Sequence, residues 1–169
     1  MANKIIIIAH KKHYSKVRIT GNEPTLCKDH LLETIHLIPV DLLFILETNG
    51  ILIDDDYAKS LAVFHHIHIR VSLKGGTPAL FSQITAHPPK YFDLQLRSLR
   101  VLLKNKVSCH PAVMLDFLNS DDFKRLQKLL AAINPSLVTD LEFENLIHYP
   151  AINSALKKKN IPLFQKIYF

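Results

Sequence analysis

Cysteine is scarce in this sequence, with Cys27 and Cys109 the only two among 169 residues. That scarcity excludes a disulfide framework and a cysteine-rich zinc module. It also excludes an iron–sulfur cluster held by thiolates of these residues alone, since such clusters ordinarily take three or four. Long apolar runs are missing as well. Ile5 to Ile8 are followed at once by Ala9-His10-Lys11-Lys12, a stretch too short for a signal-peptide core or a bilayer span. The expectation is a cytoplasmic protein with no membrane attachment and two free thiols. Internal repeats, linkers and low-complexity tracts are absent too, so residues 1–169 read as a single domain.

Apolar residues make up 48% and charged residues 21%, close to the globular average, which excludes disorder. Lys and Arg number 21 against 15 Asp and Glu, a formal balance of +6. The positive charges are scattered except at Lys11-Lys12 and Lys157-Lys158-Lys159, and no aromatics interleave them. A solvated face accounts for this better than a nucleic-acid footprint, which needs stacking platforms or a basic stripe.

Short β-branched runs alternate with segments of helical spacing. Strands are expected over Lys16–Thr20, Leu42–Glu47, His66–Leu73, Val107–Leu115 and Leu141–Ile147. Helices are expected over Lys28–Ile38, Asp54–Phe64, Tyr91–Lys104 and Asp121–Ile133, with one more at the front over Ala2–Tyr14. Strands buried on both faces and separated by helices imply βαβ units and a parallel sheet, the α/β class.

In parallel α/β folds ligands gather at the carboxyl ends of strands. Here those ends read Thr20-Gly-Asn-Glu-Pro24, Glu47-Thr-Asn-Gly50, Ser72-Leu-Lys-Gly75, His110-Pro111 and His148-Tyr149-Pro150. Each is ordinary turn chemistry when taken alone: Asn49-Gly50 is a common turn dipeptide, and Lys74 alone is a solvated lysine. All five in order carry polar or ionisable groups, which is more than turns require.

Taken together, these motifs resemble the radical S-adenosylmethionine (radical SAM) superfamily. Val17-Arg-Ile-Thr-Gly-Asn-Glu-Pro-Thr-Leu26 resembles its second strand with the GGEP turn, and Phe44-Ile-Leu-Glu-Thr-Asn-Gly50 is similar to the third with its TNG ending. Arg70 to Gly75 stands where the fourth strand ends. His110-Pro-Ala-Val-Met114 and Glu144 to Pro150 fall at the fifth and sixth.

The resemblance implies a partial (β/α)6 barrel of about five strands and a site for S-adenosylmethionine. Gly21, Asn22, Glu23 and Pro24 would meet the methionyl amino group, with Asn49 at the next strand end. Ser72 and Lys74 would meet the carboxylate or ribose, and His110 the ribose. Leu146, Ile147 and His148 would frame the adenine.

Two departures from the family pattern stand out. Asn22 replaces the second glycine of GGEP, and if that position needs φ > 0, Asn is the least costly substitute. The CxxxCxxC loop that ligates the family's four-iron, four-sulfur cluster is absent from these residues, and so is the strand before it. The resemblance therefore implies a core lacking its first strand. Such a core could not by itself cleave S-adenosylmethionine to the 5′-deoxyadenosyl radical, and it would need a partner segment carrying the cysteines. Its substrate, small or macromolecular, is unspecified. The alternatives are a non-catalytic S-adenosylmethionine-binding or interaction module and, behind it, a basic nucleic-acid-binding domain.

Other constellations are better read as structural. His66 and His68 share one strand face while His65 points to the other, so the three do not make a metal site. His10 and His13 sit among lysines, and Asp54-Asp55-Asp56 suits a helix start. Cys27 lacks a nucleophile's partners in the sequence.

Overall fold

The apolar runs become five strands in a computed structural model that describes residues 2–161, 163 and 164. They are β1 (Lys16–Ile19), β2 (Leu43–Thr48), β3 (Ile67–Leu73), β4 (Cys109–Met114) and β5 (Glu142–Glu144). They pair in sequence order, all parallel, with register marks Val17↔Phe44, Phe44↔Ile67, Ile69↔Cys109 and Ala112↔Glu142. The helices are α1 (Ala2–Lys11), α2 (Lys28–Leu37), α3 (Asp55–Leu61), α4 (Pro78–Thr85), α5 (Lys90–Lys104), α6 (Ser120–Ile133), α7 (Ser136–Thr139) and α8 (Pro150–Lys158). The whole is a curled, parallel half-barrel with helices as crossovers.

Alternation decides which residues face which way. Phe44, Leu46, Ile69, Val71, Leu73 and Val113 form one core with Leu31 and Ile35 of α2, Leu61 of α3, Leu99 and Leu102 of α5 and Leu126 of α6. Each such side chain stabilises the fold by about 1.5–3 kcal/mol. The register puts Arg18, Glu47, His68, Arg70, Ser72, His110, Glu142 and Glu144 on the opposite, inner face. This corrects the expectation that the strands are apolar and buried on both sides. In β2 only Phe44, Leu46 and Thr48 are fully buried, while Leu43, Ile45 and Glu47 are partly buried on the inner face.

Helix starts follow capping chemistry. Asp54 accepts the Tyr57 amide at 2.8 Å to open α3, and Asn119 accepts the Asp122 amide at 2.8 Å to open α6. Thr77 caps α4 with Pro78 in its first turn. That helix was not expected, because Gly75-Gly76-Thr77-Pro78 reads as a turn as readily as a helix start. The last two strands are shorter than expected. Leu115–Phe117 coils into a 3-10 turn, and Asp116 takes the Leu146 amide at 2.8 Å, which draws the backbone after Glu144 away from the ladder.

Among the described residues β1 has β2 as its only strand neighbour. Beside it lies a groove of about 650 Å³ bounded by α1 and α2 and lined by Ile5, Val17, Ile19, Leu26, Leu31 and Leu37 among others. No helix among the described residues is long and apolar enough to cross a membrane.

Candidate functional site

The carboxyl edge of the sheet gathers most of the residues that the sequence pointed to. After β1 the chain turns through Gly21 at φ 93° and Asn22 at φ 51°, two successive residues in the left-handed region. Asn22 therefore occupies a conformation in which asparagine is the least strained residue after glycine. A Cβ built on Gly21 would meet no atom within 4 Å outside its chain neighbours, so the space beside Gly21 is open.

Glu23 points the other way, into the sheet end. Its carboxylate accepts from the Thr25 amide at 3.1 Å, the Thr25 hydroxyl at 2.5 Å, the Thr48 hydroxyl at 2.6 Å and the Asn49 amide at 2.7 Å. It caps the 3-10 turn Pro24–Leu26 and locks the end of β1 to the end of β2. Below it Tyr57 donates to the Thr25 carbonyl, and burial pushes its phenol up to about 12.

Asn49 is likewise held from all sides. Its side chain accepts the Ile51 amide at 2.9 Å in an Asx turn, and its carbonyl accepts from Gln95 at 2.7 Å. Gly50 follows at φ 76°, where a Cβ would strike the Ser98 hydroxyl of α5.

Gln95 went unrecognised in the sequence. Fully buried on α5, it donates to the carbonyls of Asn49 and Ser72 and accepts the Lys74 amide at 3.1 Å, stapling the ends of β2 and β3. The available signal was a glutamine beside Leu96 and Leu99 within an apolar stripe.

Ser72 and Lys74 lie together on the inner face, the Lys74 ammonium donating to the Ser72 hydroxyl at 2.7 Å. Burial pulls Lys74 below the ordinary lysine range; Glu144, Glu47 and Glu23 oppose this and Arg70 adds to it.

Beneath Lys74 sits a hub whose members are scattered in the sequence. Arg70 is 4% exposed and binds Glu142 through Nε at 2.8 Å and Nη2 at 2.9 Å, Glu144 at 2.8 Å and Glu47 at 2.7 Å. Arg18 of β1 reaches the same Glu47 carboxylate. Burial disfavours the Arg70 charge, but the carboxylates outweigh it and raise its affinity for the proton. In return the Arg70 hydrogen bonds hold Glu142 down to about 2. Burial would raise Glu47, yet Arg18, Thr20 and Arg70 leave it below the usual carboxylate range.

His110 is not at a strand's carboxyl end, which corrects its expected position. It is the second residue of β4, bonded to His68 at 2.6 Å and Glu142 at 2.9 Å. Leu146, Ile147 and His148 do follow the last strand. The Leu146 amide donates to Asp116, Ile147 is exposed, and His148 bonds Asn153 at 3.0 Å.

The two thiols lie at opposite ends of the sheet. Cys27 is exposed at the start of α2, beyond the carboxyl end of β1. Cys109 opens β4, and burial pushes its thiol up to about 12. No group of three or more His, Cys, Asp or Glu among the described residues could hold a metal ion. These two thiols therefore do not supply a cluster's ligand set.

Comparison with known proteins agrees with this architecture. Streptococcus suis SuiB bound to S-adenosylmethionine superposes with a TM-score of 0.71 at 16% identity, over 94% of this chain and 38% of that one. Coproporphyrinogen III oxidase (HemN) from Escherichia coli, described as a radical SAM enzyme, superposes at 0.65 and 17% identity, over 97% and 40%. The protein anSMEcpe with bound AdoMet superposes at 0.62 and 20% identity, over 78% and 37%. The chain thus spans well under half the length of these structures, and at such identities the likeness is one of fold. Curated protein sequences give no match. The radical SAM superfamily profile matches residues 1–130, and with the parallel half-barrel this places the chain in the radical SAM superfamily.

Proposed function

We propose that this chain binds S-adenosylmethionine at the carboxyl edge of its sheet, as the cofactor-holding portion of a radical SAM enzyme. The observation that carries the reading is the turn Gly21–Asn22, two left-handed residues with open space beside Gly21 just where β1 ends. Uncrowded backbone polar atoms there suit the methionyl ammonium. Glu23 supports the turn as a strut, and Pro24 fixes its exit. Lys74, steadied by Ser72, is the cation available to the carboxylate, and Asn49 shapes the floor between them. Leu146, Ile147 and His148 offer apolar surface and backbone to the adenine. His110 falls outside this pocket and is given no part in it. Within the family, the cofactor supplies a radical that takes a hydrogen atom from the substrate.

The thiolates for a cluster would come from a segment outside residues 1–169, and the open edge of β1 with its apolar groove suits a docking strand. In this reading residues 1–169 are one partial domain. The rival reading, a non-catalytic binding module, is favoured by the two distant thiols.

Calorimetric titration with S-adenosylmethionine tests the pocket. Binding is expected, and Lys74→Met should weaken it about tenfold, roughly 1.4 kcal/mol. Absence of heat at millimolar ligand would sink the assignment. Addition of a CxxxCxxC-bearing segment under anaerobic reconstitution then separates the enzyme portion from the binding module: only the former gains absorbance near 400 nm.

A further inference from the structure

The inner face carries a second cluster, toward the amino end of the sheet and independent of the proposed cofactor pocket. His68 is the second residue of β3, and Ser72 lies four residues further on, roughly 13 Å along the strand. Ser108, His68, His110 and Glu142 form an unbroken chain. His68 Nδ1 is 2.7 Å from Ser108 Oγ, His68 Nε2 is 2.6 Å from His110 Nδ1, and His110 Nε2 is 2.9 Å from Glu142 Oε2.

The chemistry allows one neutral arrangement. Glu142, ionised beside Arg70, can only accept, so His110 carries its proton on Nε2. His110 Nδ1 is then an acceptor, which puts the His68 proton on Nε2. His68 Nδ1 in turn accepts from the Ser108 hydroxyl. One added proton fits without moving a heavy atom: it binds His68 Nδ1, and Ser108 turns its hydroxyl to accept. A second does not fit, because two N–H groups would then face each other across 2.6 Å.

The surroundings reinforce this limit. Burial disfavours charge on His68, and so do His110 and Lys16 of β1, with Asp140 opposing them. β2 sets the uncharged Ile45 beside it, and Arg70 two residues on adds a further cation. His68 is held below the ordinary histidine value of 6.5.

We propose that His68 and His110 are a single-proton pair that braces β3 to β4 and, through Glu142, to β5, and that the brace opens when a second proton arrives. The inner face then has a pH-operated latch. Its contribution is present above the ordinary histidine range and is lost as the pH falls through the lowered one, because the folded state resists the proton that the unfolded chain accepts.

Nitrogen NMR of the histidine rings between pH 8 and pH 4 tests it. At the alkaline end both rings should be Nε2–H tautomers. The first proton should move the signals of both rings together, with the second step displaced by more than about one pH unit. Amide exchange at Ala112 and Met114 should quicken with that second step. In His68→Gln, His110 should titrate in one step and the linked change in exchange should vanish. Two independent titrations, or an Nδ1–H tautomer on either ring, would overturn the proposal. If His68→Gln fails to fold, the titration of the unmodified protein decides the matter alone.

Discussion

Gln95 holds three backbone groups that would otherwise be unpaired in the interior: the carbonyls of Asn49 and Ser72 and the amide of Lys74. Replacement by methionine keeps the volume and removes every one of these bonds. Each buried group left unsatisfied costs about 1–3 kcal/mol, and they share one site, so Gln95→Met should destabilise by about 3 kcal/mol. Chemical denaturation measures this. An unchanged midpoint would mean that Gln95 does not staple the strand ends. The residues of the candidate site were partly legible in the sequence. Gly21, Asn22, Asn49, Ser72 and Lys74 stood out because they end apolar runs with turn or ionisable chemistry. What the sequence could not show is direction: Glu23 reads as a ligand group but turns inward to Thr48 and Asn49. Gln95 was hidden because one polar residue in an amphipathic stripe has no marker of its own until the strand ends it serves are in place.

At the scale of elements, β5 is a strand of three residues whose side chains do more than its ladder. Glu142 and Glu144 both clasp Arg70 of β3, spanning β4 between them. The folded state lowers Glu142 from 4.5 to about 2, so its contribution is complete above about 4.5 and is lost as the pH falls through about 2. The midpoint of thermal unfolding should therefore decline as the pH falls across that acid window. Arg70→Met leaves three carboxylates facing one another. It should cost about 3 kcal/mol near neutral pH, the lower end for a broken buried pair because Glu142 is half exposed. The variant should also lose the steep acid decline; a parallel pH curve would refute the hub. None of this was readable beforehand, because residues 47, 70, 142 and 144 are scattered in sequence and meet only when the sheet curls. The long helices were readable: Lys28–Ile38, Tyr91–Lys104 and Asp121–Ile133 each lie within a residue of the observed spans, since their apolar stripes keep helical period over three turns or more. The short α4, α7 and α8 gave too few turns for a period to declare itself.

For the whole molecule, the asymmetry of the two sheet edges is what matters most. β5 at one edge is short and carries Glu142 and Glu144, which discourages strand addition. β1 at the other edge is bonded, among the described residues, on one side only and is flanked by an apolar groove of about 650 Å³. α1 lines this groove through Ile5 and exposes Ile7 at 65% and Ile8 at 55%, so apolar area adjoins the strand edge. Either alone is tolerable on a protein surface; together they form a template for another strand. The net charge of +6 opposes association at long range, but salt screens that repulsion within about 10 Å at 0.1 M. The chain by itself should therefore self-associate increasingly as salt rises from 20 mM to 500 mM, the reverse of an association driven by ion pairs. Ile7→Gln with Ile8→Gln leaves the net charge unchanged and removes apolar surface from an exposed helix face. It should return the chain to a monomer in light scattering while shifting the unfolding midpoint little, within about 0.5 kcal/mol for surface sites. A segment that pairs with β1 should have the same effect on the unmodified chain, because it would satisfy the edge and fill the groove at once. A chain that stays monodisperse at high salt without either change would show that this edge is already closed, and the docking role proposed for it would fall.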